Sequence, residues 1–109
     1  MTAEKVKEMM SKYQKFLFLL GAPIAKCDTY DRRIIDRQTI LGHIHYLSYE
    51  IDGLLAENRL EKSFRWLGFI QGCWFALGLR SLDDLKNDSK PTDNPNQLWL
   101  KLDKGEANA

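Results

Sequence analysis

The stretch Arg65–Leu79, RWLGFIQGCWFALGL, limits the folds open to this chain more than any other. After its arginine it is apolar apart from Gln71, yet it holds Gly68, Gly72 and Gly78. Residues 66–79 on a helix would reach about 21 Å, at ~1.5 Å per residue, short of the ~30 Å hydrocarbon core of a bilayer. The glycines and Gln71 weaken a membrane reading further. The segment is therefore expected to be buried in protein, not inserted in lipid.

On a helix from Trp66 to Leu77, residues Gly68, Gly72 and Ala76 recur every four positions and share one stripe. Each glycine costs about 1 kcal/mol relative to alanine in a helix interior. Close approach of another helix backbone can offset that cost, so the stripe predicts a tight helix crossing. The remaining side chains point nearly all round, and a helix apolar all round must be covered all round. Two other helices can cover two sides. The third side predicts a second copy of the chain or another partner, through Trp66, Gly68, Phe69, Gln71, Gly72, Trp74, Phe75 and Ala76. A buried Gln71 needs hydrogen-bond partners. A symmetry mate, a tyrosine hydroxyl and a ligand are the candidates, and a satisfied core or interface amide is the simplest outcome.

The rest of the chain also reads as helix. Val6, Met9, Met10, Tyr13, Phe16, Leu17 and Leu20 recur at three- and four-residue steps after a Thr2 cap, with Lys5, Lys7, Lys12 and Lys15 on the other side. Gly21 and Pro23 stop that helix. A second helix is expected from about Asp31, capped by Asp28, Thr29 or Asp31, to about Glu57. Ile40, Leu47 and Leu54 repeat at heptad spacing along it, and Asn58 supplies a left-handed stop. Its length would be about 40 Å. A third helix follows from Leu60, with a polar start of Glu61, Lys62, Ser63 and Arg65; Glu61 and Arg65 are spaced for a surface ion pair. Gly78 ends it, and SLDD at Ser81–Asp84 opens a short fourth helix by a capping box.

The expected architecture is all-α: a small helical bundle of three main helices (about 2–20, 31–57 and 60–77), a short fourth helix (about 82–88) and a C-terminal tail. Residues 1–89 form the helical domain. Residues 90–109 are a linker, KPTDNPNQ, and a tail in which Trp99 of LWLKL is a further candidate anchor for a partner. The chain of 109 residues fits one domain, and at 44% hydrophobic it builds a core without disulfides. Cys27 and Cys73 fit reduced thiols in a cytoplasm. The net charge of +1 gives no general attraction to nucleic acid or membrane.

Chemistry-bearing patterns are sparse. His43 and His45 lie two apart on a helix, about 200° round its axis, and cannot share a metal; polar-face or interface histidines are expected. The carboxylates lack the paired spacing of magnesium-binding helical hydrolases, so neither cofactor nor metal is expected and the chain reads as non-enzymatic. Two basic clusters remain: Arg33 with Arg37, one turn apart on the second helix, and Arg59, Lys62 and Arg65 at the start of the third. In an antiparallel hairpin they fall at opposite ends. Across an antiparallel dimer they could combine on a nucleotide-like anion. Solvated faces with local ion pairs to Asp36 or Glu61 are the commoner fate of such residues.

The run Leu60–Lys86, LEKSFRWLGFIQGCWFALGLRSLDDLK, resembles a signature of small phage- and prophage-encoded helical proteins. The matching residues are Glu61, Lys62, Arg65, Trp66, Leu67, Gly68, Phe69, Gln71 and Gly72, within about a quarter of the chain. The group has no established activity, so the resemblance assigns no catalytic residue. It implies a phage accessory protein acting inside a bacterial cell; the surplus apolar surface and Trp99 add the expectation that it binds and modulates a host protein in the cytoplasm as a homo-oligomer. The alternative is an oligomer that sequesters a small anionic ligand between subunits.

Overall fold

The structure, a computed structural model, describes residues 1–28, 33 and 36–90. Every element among them is helical: α1 (Ala3–Leu19), α2 (Arg37–Ala56), α3 (Leu60–Ala76) and α4 (Leu82–Ser89). The expected all-α bundle of three longer helices and a short fourth is what forms. Trp99 and the rest of the tail lie outside the described residues.

Three helices end in the same way, and each ending is set by one residue. Gly21, Asn58 and Gly78 take left-handed backbone angles, with φ of 76°, 60° and 73°. In each case the next amide reaches back to a carbonyl in the last turn: Ala22 to Leu17, Arg59 to Leu54 and Leu79 to Trp74, at 2.8–3.0 Å. These bonds satisfy carbonyls that a helix end otherwise leaves unpaired. The starts are equally local. Thr2 caps α1 through the Lys5 amide, and Ser81 and Asp84 cap each other's amides to form the expected capping box on α4.

The start of α2 differs from the sequence expectation of about Asp31. Asp36 has extended backbone angles, and its carboxylate accepts from the amide and the hydroxyl of Thr39 at 2.9 and 2.6 Å. These bonds hold the Asp36 carboxyl below the usual carboxylate range. An extended cap cannot continue a helix backward, so α2 begins at Arg37 and spans roughly 30 Å. Arg33 consequently lies outside α2 and shares no helical face with Arg37.

The helices pack in alternating directions. Arg37 Nη1, at the start of α2, meets the Leu77 carbonyl at the end of α3 (3.4 Å), so α2 and α3 form an antiparallel hairpin. Gln14 of α1 donates to Asp52 (2.8 Å), and the Ala22 carbonyl meets His45 (3.0 Å), so α1 runs antiparallel to α2. The core joins Val6, Met9, Met10, Tyr13 and Leu17 of α1 to Leu41, Ile44, Leu47 and Ile51 of α2 and to Leu67, Ile70 and Trp74 of α3.

Two residues expected on polar faces, Ser63 and Lys5, are buried, and so is Ser48. Ser63 and Ser48 bond the carbonyls of Arg59 and His45 in their own helices, which frees them to sit inside. Lys5 lies against the bundle, with its ammonium 3.6 Å from Glu8 at the edge.

The segment after α1 crosses α2 at Gly42. A Cβ there would lie 3.3 Å from Pro23 Cγ and 3.5 Å from the Ala25 Cβ, while the Ala25 amide bonds the Gly42 carbonyl at 3.1 Å. Gly53, in the same helix, faces open space. Gly42→Val is expected to lower unfolding free energy by about 1–3 kcal/mol through overpacking. Gly53→Ala should raise it by roughly 0.5–1 kcal/mol through helix propensity. Urea denaturation of the two variants beside wild type checks the contrast.

Candidate functional site

The side of α3 that faces its own bundle is narrow. Ser63, Leu67, Ile70 and Trp74 are its buried residues, and all four fall within about 60° of one another round the axis at 100° per residue. The other half of the helix looks outward. Arg65, Gly68, Gly72 and Ala76 lie along the centre of that outer face, all exposed. A Cβ added to Gly68 or Gly72 would meet nothing within 4 Å. Among the described residues the small-residue stripe takes no part in a helix crossing, because α1 and α2 both pack against the opposite side. Large rings flank the open stripe: Phe64 and Phe75 on one side, Phe69 on the other, exposed by 37%, 51% and 46%.

Trp74, expected at an interface, is instead wholly buried, with Tyr13 edge-on at 5.6 Å and Phe16 tilted against it at 5.3 Å. Trp66 is half-buried and continues an aromatic row along the outer groove between α2 and α3. Trp66 meets Phe69 at 5.9 Å, Phe69 meets His43 at 6.2 Å, and His43 stacks on Tyr46 at 6.2 Å.

Gln71 bonds within its own chain. Its amide lies 3.3 Å from the Ser89 hydroxyl of α4 and reaches the Tyr13 hydroxyl, which donates to Asp88 at 2.8 Å. Arg80 forks onto the same Asp88 carboxylate. Burial pushes the Tyr13 hydroxyl well above its ordinary range; the Gln71 bond opposes that shift and the Asp88 bond adds to it. A tyrosine hydroxyl was among the partners foreseen for Gln71. The Tyr13–Asp88 bond was not, because it joins α1 to α4 across 75 residues of the chain.

The histidines differ from each other. His43 accepts the Cys27 amide on Nδ1 at 3.0 Å. Partial burial, and secondarily the charge of Lys26, lower its pKa from an ordinary 6.5. His45 is no polar-face residue: it is 2% exposed, its Nδ1 donates to the Ala22 carbonyl, and its Nε2 has no partner among the described residues. Both rings hold the segment after α1 onto α2, a role with no sequence signal beyond their proximity to Gly42. No group of three potential ligands among the described residues could hold a metal ion.

The basic residues separate as the hairpin requires. Arg59, Lys62 and Arg65 line a shallow surface pocket of about 440 Å³ with Asn58, Leu60 and Glu61, at a helix start that no side chain caps. Arg37 sits at the other end, on the Leu77 carbonyl. Glu61 and Arg65 both remain exposed and do not close to ion-pair distance. No helix among the described residues is long and apolar enough to cross a membrane. Compared with known protein families, curated proteins and solved structures, the chain matches none.

Two expected outcomes follow from this geometry. Tyr13→Phe removes the hydroxyl that ties α1 to α4, and should cost about 1–3 kcal/mol while loosening α4 first; hydrogen exchange resolved by segment checks it. The lowered pKa of His43 means that the unfolded chain takes up a proton more readily. That contribution to stability is complete above pH 6.5 and is lost as pH falls through the lower folded value. Thermal melts should therefore show a drop between pH 7.5 and 5 that is smaller in His43→Gln.

Proposed function

We propose that the protein is a non-enzymatic accessory protein, of the phage type its α3 signature resembles, that binds and modulates a bacterial host protein in the cytoplasm as a homo-oligomer. One observation carries the reading: the amount of large apolar surface left open. Phe18 is 75% exposed and Leu19 71% at the end of α1, with Ile24 beyond them, and α3 adds Phe64, Phe69 and Phe75. Scattered exposed apolar residues are ordinary, but patches of several large ones mark contact surfaces. Aromatic side chains are also the usual anchors of such surfaces.

A second reading rests on Arg59, Lys62 and Arg65, which gather at the uncapped start of α3. Such a place suits a small anion, held by guanidinium groups and free amides together. Arg33 and Arg37 do not belong to that cluster within one chain, so a site using all five needs a second subunit.

Affinity capture from bacterial lysate, followed by pairwise reconstitution of the purified components, tests the first reading. The wild type should retain one defined host protein, and a Phe18→Ser/Leu19→Ser variant should bind it at least tenfold more weakly. Identical capture by both proteins would refute a role for that surface. Thermal shift with inorganic phosphate and ATP, compared with an Arg59→Ala/Arg65→Ala variant, tests the second; no stabilisation of wild type removes it.

A further inference from the structure

We infer that the outer face of α3 seats the same face of a second copy of this chain, running antiparallel, with the two-fold axis at the level of Ile70. The inference rests on reading that face as a contact surface, and it names the partner and the register.

Sequence positions along α3 carry the argument. Gly68 and Gly72 straddle Ile70 evenly, so the axis sets each Gly68 against Gly72 of the partner subunit. Both glycines face open space, so two helix backbones can approach there without displacing any side chain of the bundle. Phe64 and Phe75 straddle Ile70 nearly evenly and share one flank of the outer face. The same axis therefore brings Phe64 onto the partner's Phe75, twice, and buried aromatic pairs of this kind are favourable. Phe69, on the other flank and close to the axis level, meets the partner's Phe69.

Charge selects the antiparallel direction. Arg65 and Ala76 also straddle Ile70 nearly evenly, so each Arg65 lies beside the carboxyl-terminal turn of the partner's α3. That turn carries partial negative charge and holds no basic residue in its sequence, while Arg37 of the same chain lies 3.4 Å from the Leu77 carbonyl just beyond it. A parallel pair would instead set Arg65 against the partner's Arg65, and Glu61 against the partner's Glu61. The exposed fractions of the three phenylalanines amount to roughly 270 Å² of ring surface per chain, taking about 200 Å² for each side chain. With the glycine backbone and the Arg65 stem included, the contact remains smaller than a standard interface, as fits a weak, transient dimer.

Sedimentation velocity on the full chain, from about 1 to 500 µM, tests the proposal on wild type, Gly68→Leu, Gly72→Leu and Arg65→Glu. Wild type should pass from 12.7 kDa to twice that mass over this range. The leucine variants should keep the wild-type helical circular dichroism, since the monomer has room for the side chain, and remain monomeric. Arg65→Glu alters only an exposed side chain and should weaken the dimer at least tenfold, so it decides the matter if a leucine variant fails to fold. A wild type that is monomeric throughout overturns the dimer. A dimer that both Gly72→Leu and Arg65→Glu leave intact overturns this face as its interface. Host-protein capture by wild type is read separately, so its persistence in either case leaves the accessory-protein reading standing.

Discussion

Burial of Trp74 is the interaction on which the rest of the bundle depends. Its ring is fully enclosed, Tyr13 and Phe16 of α1 lie against it, and its carbonyl closes the turn that leads into α4. Removing about 200 Å² of ring from water contributes roughly 5 kcal/mol at ~25 cal/mol per Å². Its indole N–H has no partner among the described residues, a loss of about 1–3 kcal/mol at most. Burial wins that comparison. It also fixes the rotation of α3: with Trp74 inward, Ser63, Leu67 and Ile70 follow inward and Gly68, Gly72 and Ala76 must face out.

That rotation explains why a helix so apolar leaves half its surface uncovered. Two helices already occupy the inward side, and α4 is short, with no fully buried residue of its own. The polar links of Tyr13, Gln71, Asp88, Ser89 and Arg80 hold α4 against α1 and one flank of α3. Among the described residues nothing covers the central stripe. Covering it with the same face of a second copy is the use we propose for the stripe.

Much of this was legible in the residues. Gly21, Asn58 and Gly78 mark three helix ends because each needs a left-handed backbone that few residues adopt readily. Thr2 and the Ser81–Asp84 pair mark two starts, since a cap is made within four residues. The surplus of apolar surface on α3 followed from simple periodicity. The start of α2 was misplaced because several acidic and hydroxyl residues precede it, and spacing cannot say which of them turns its side chain back to cap. Asp36 does so through Thr39.

The amino-acid sequence alone thus determined the helices and most of their ends, because those depend on backbone angles and hydrogen bonds made within a few residues. Which side of α3 faces inward, that Pro23 rides over Gly42, that His45 is buried, and that Tyr13 reaches Asp88 were decided only by the tertiary structure. Each joins residues far apart in the chain, and three-dimensional packing selects among faces that periodicity leaves equivalent. The glycines of Arg65–Leu79 show the difference. Their shared stripe was plain in the sequence, but only the packing of Trp74 showed that the stripe lies open.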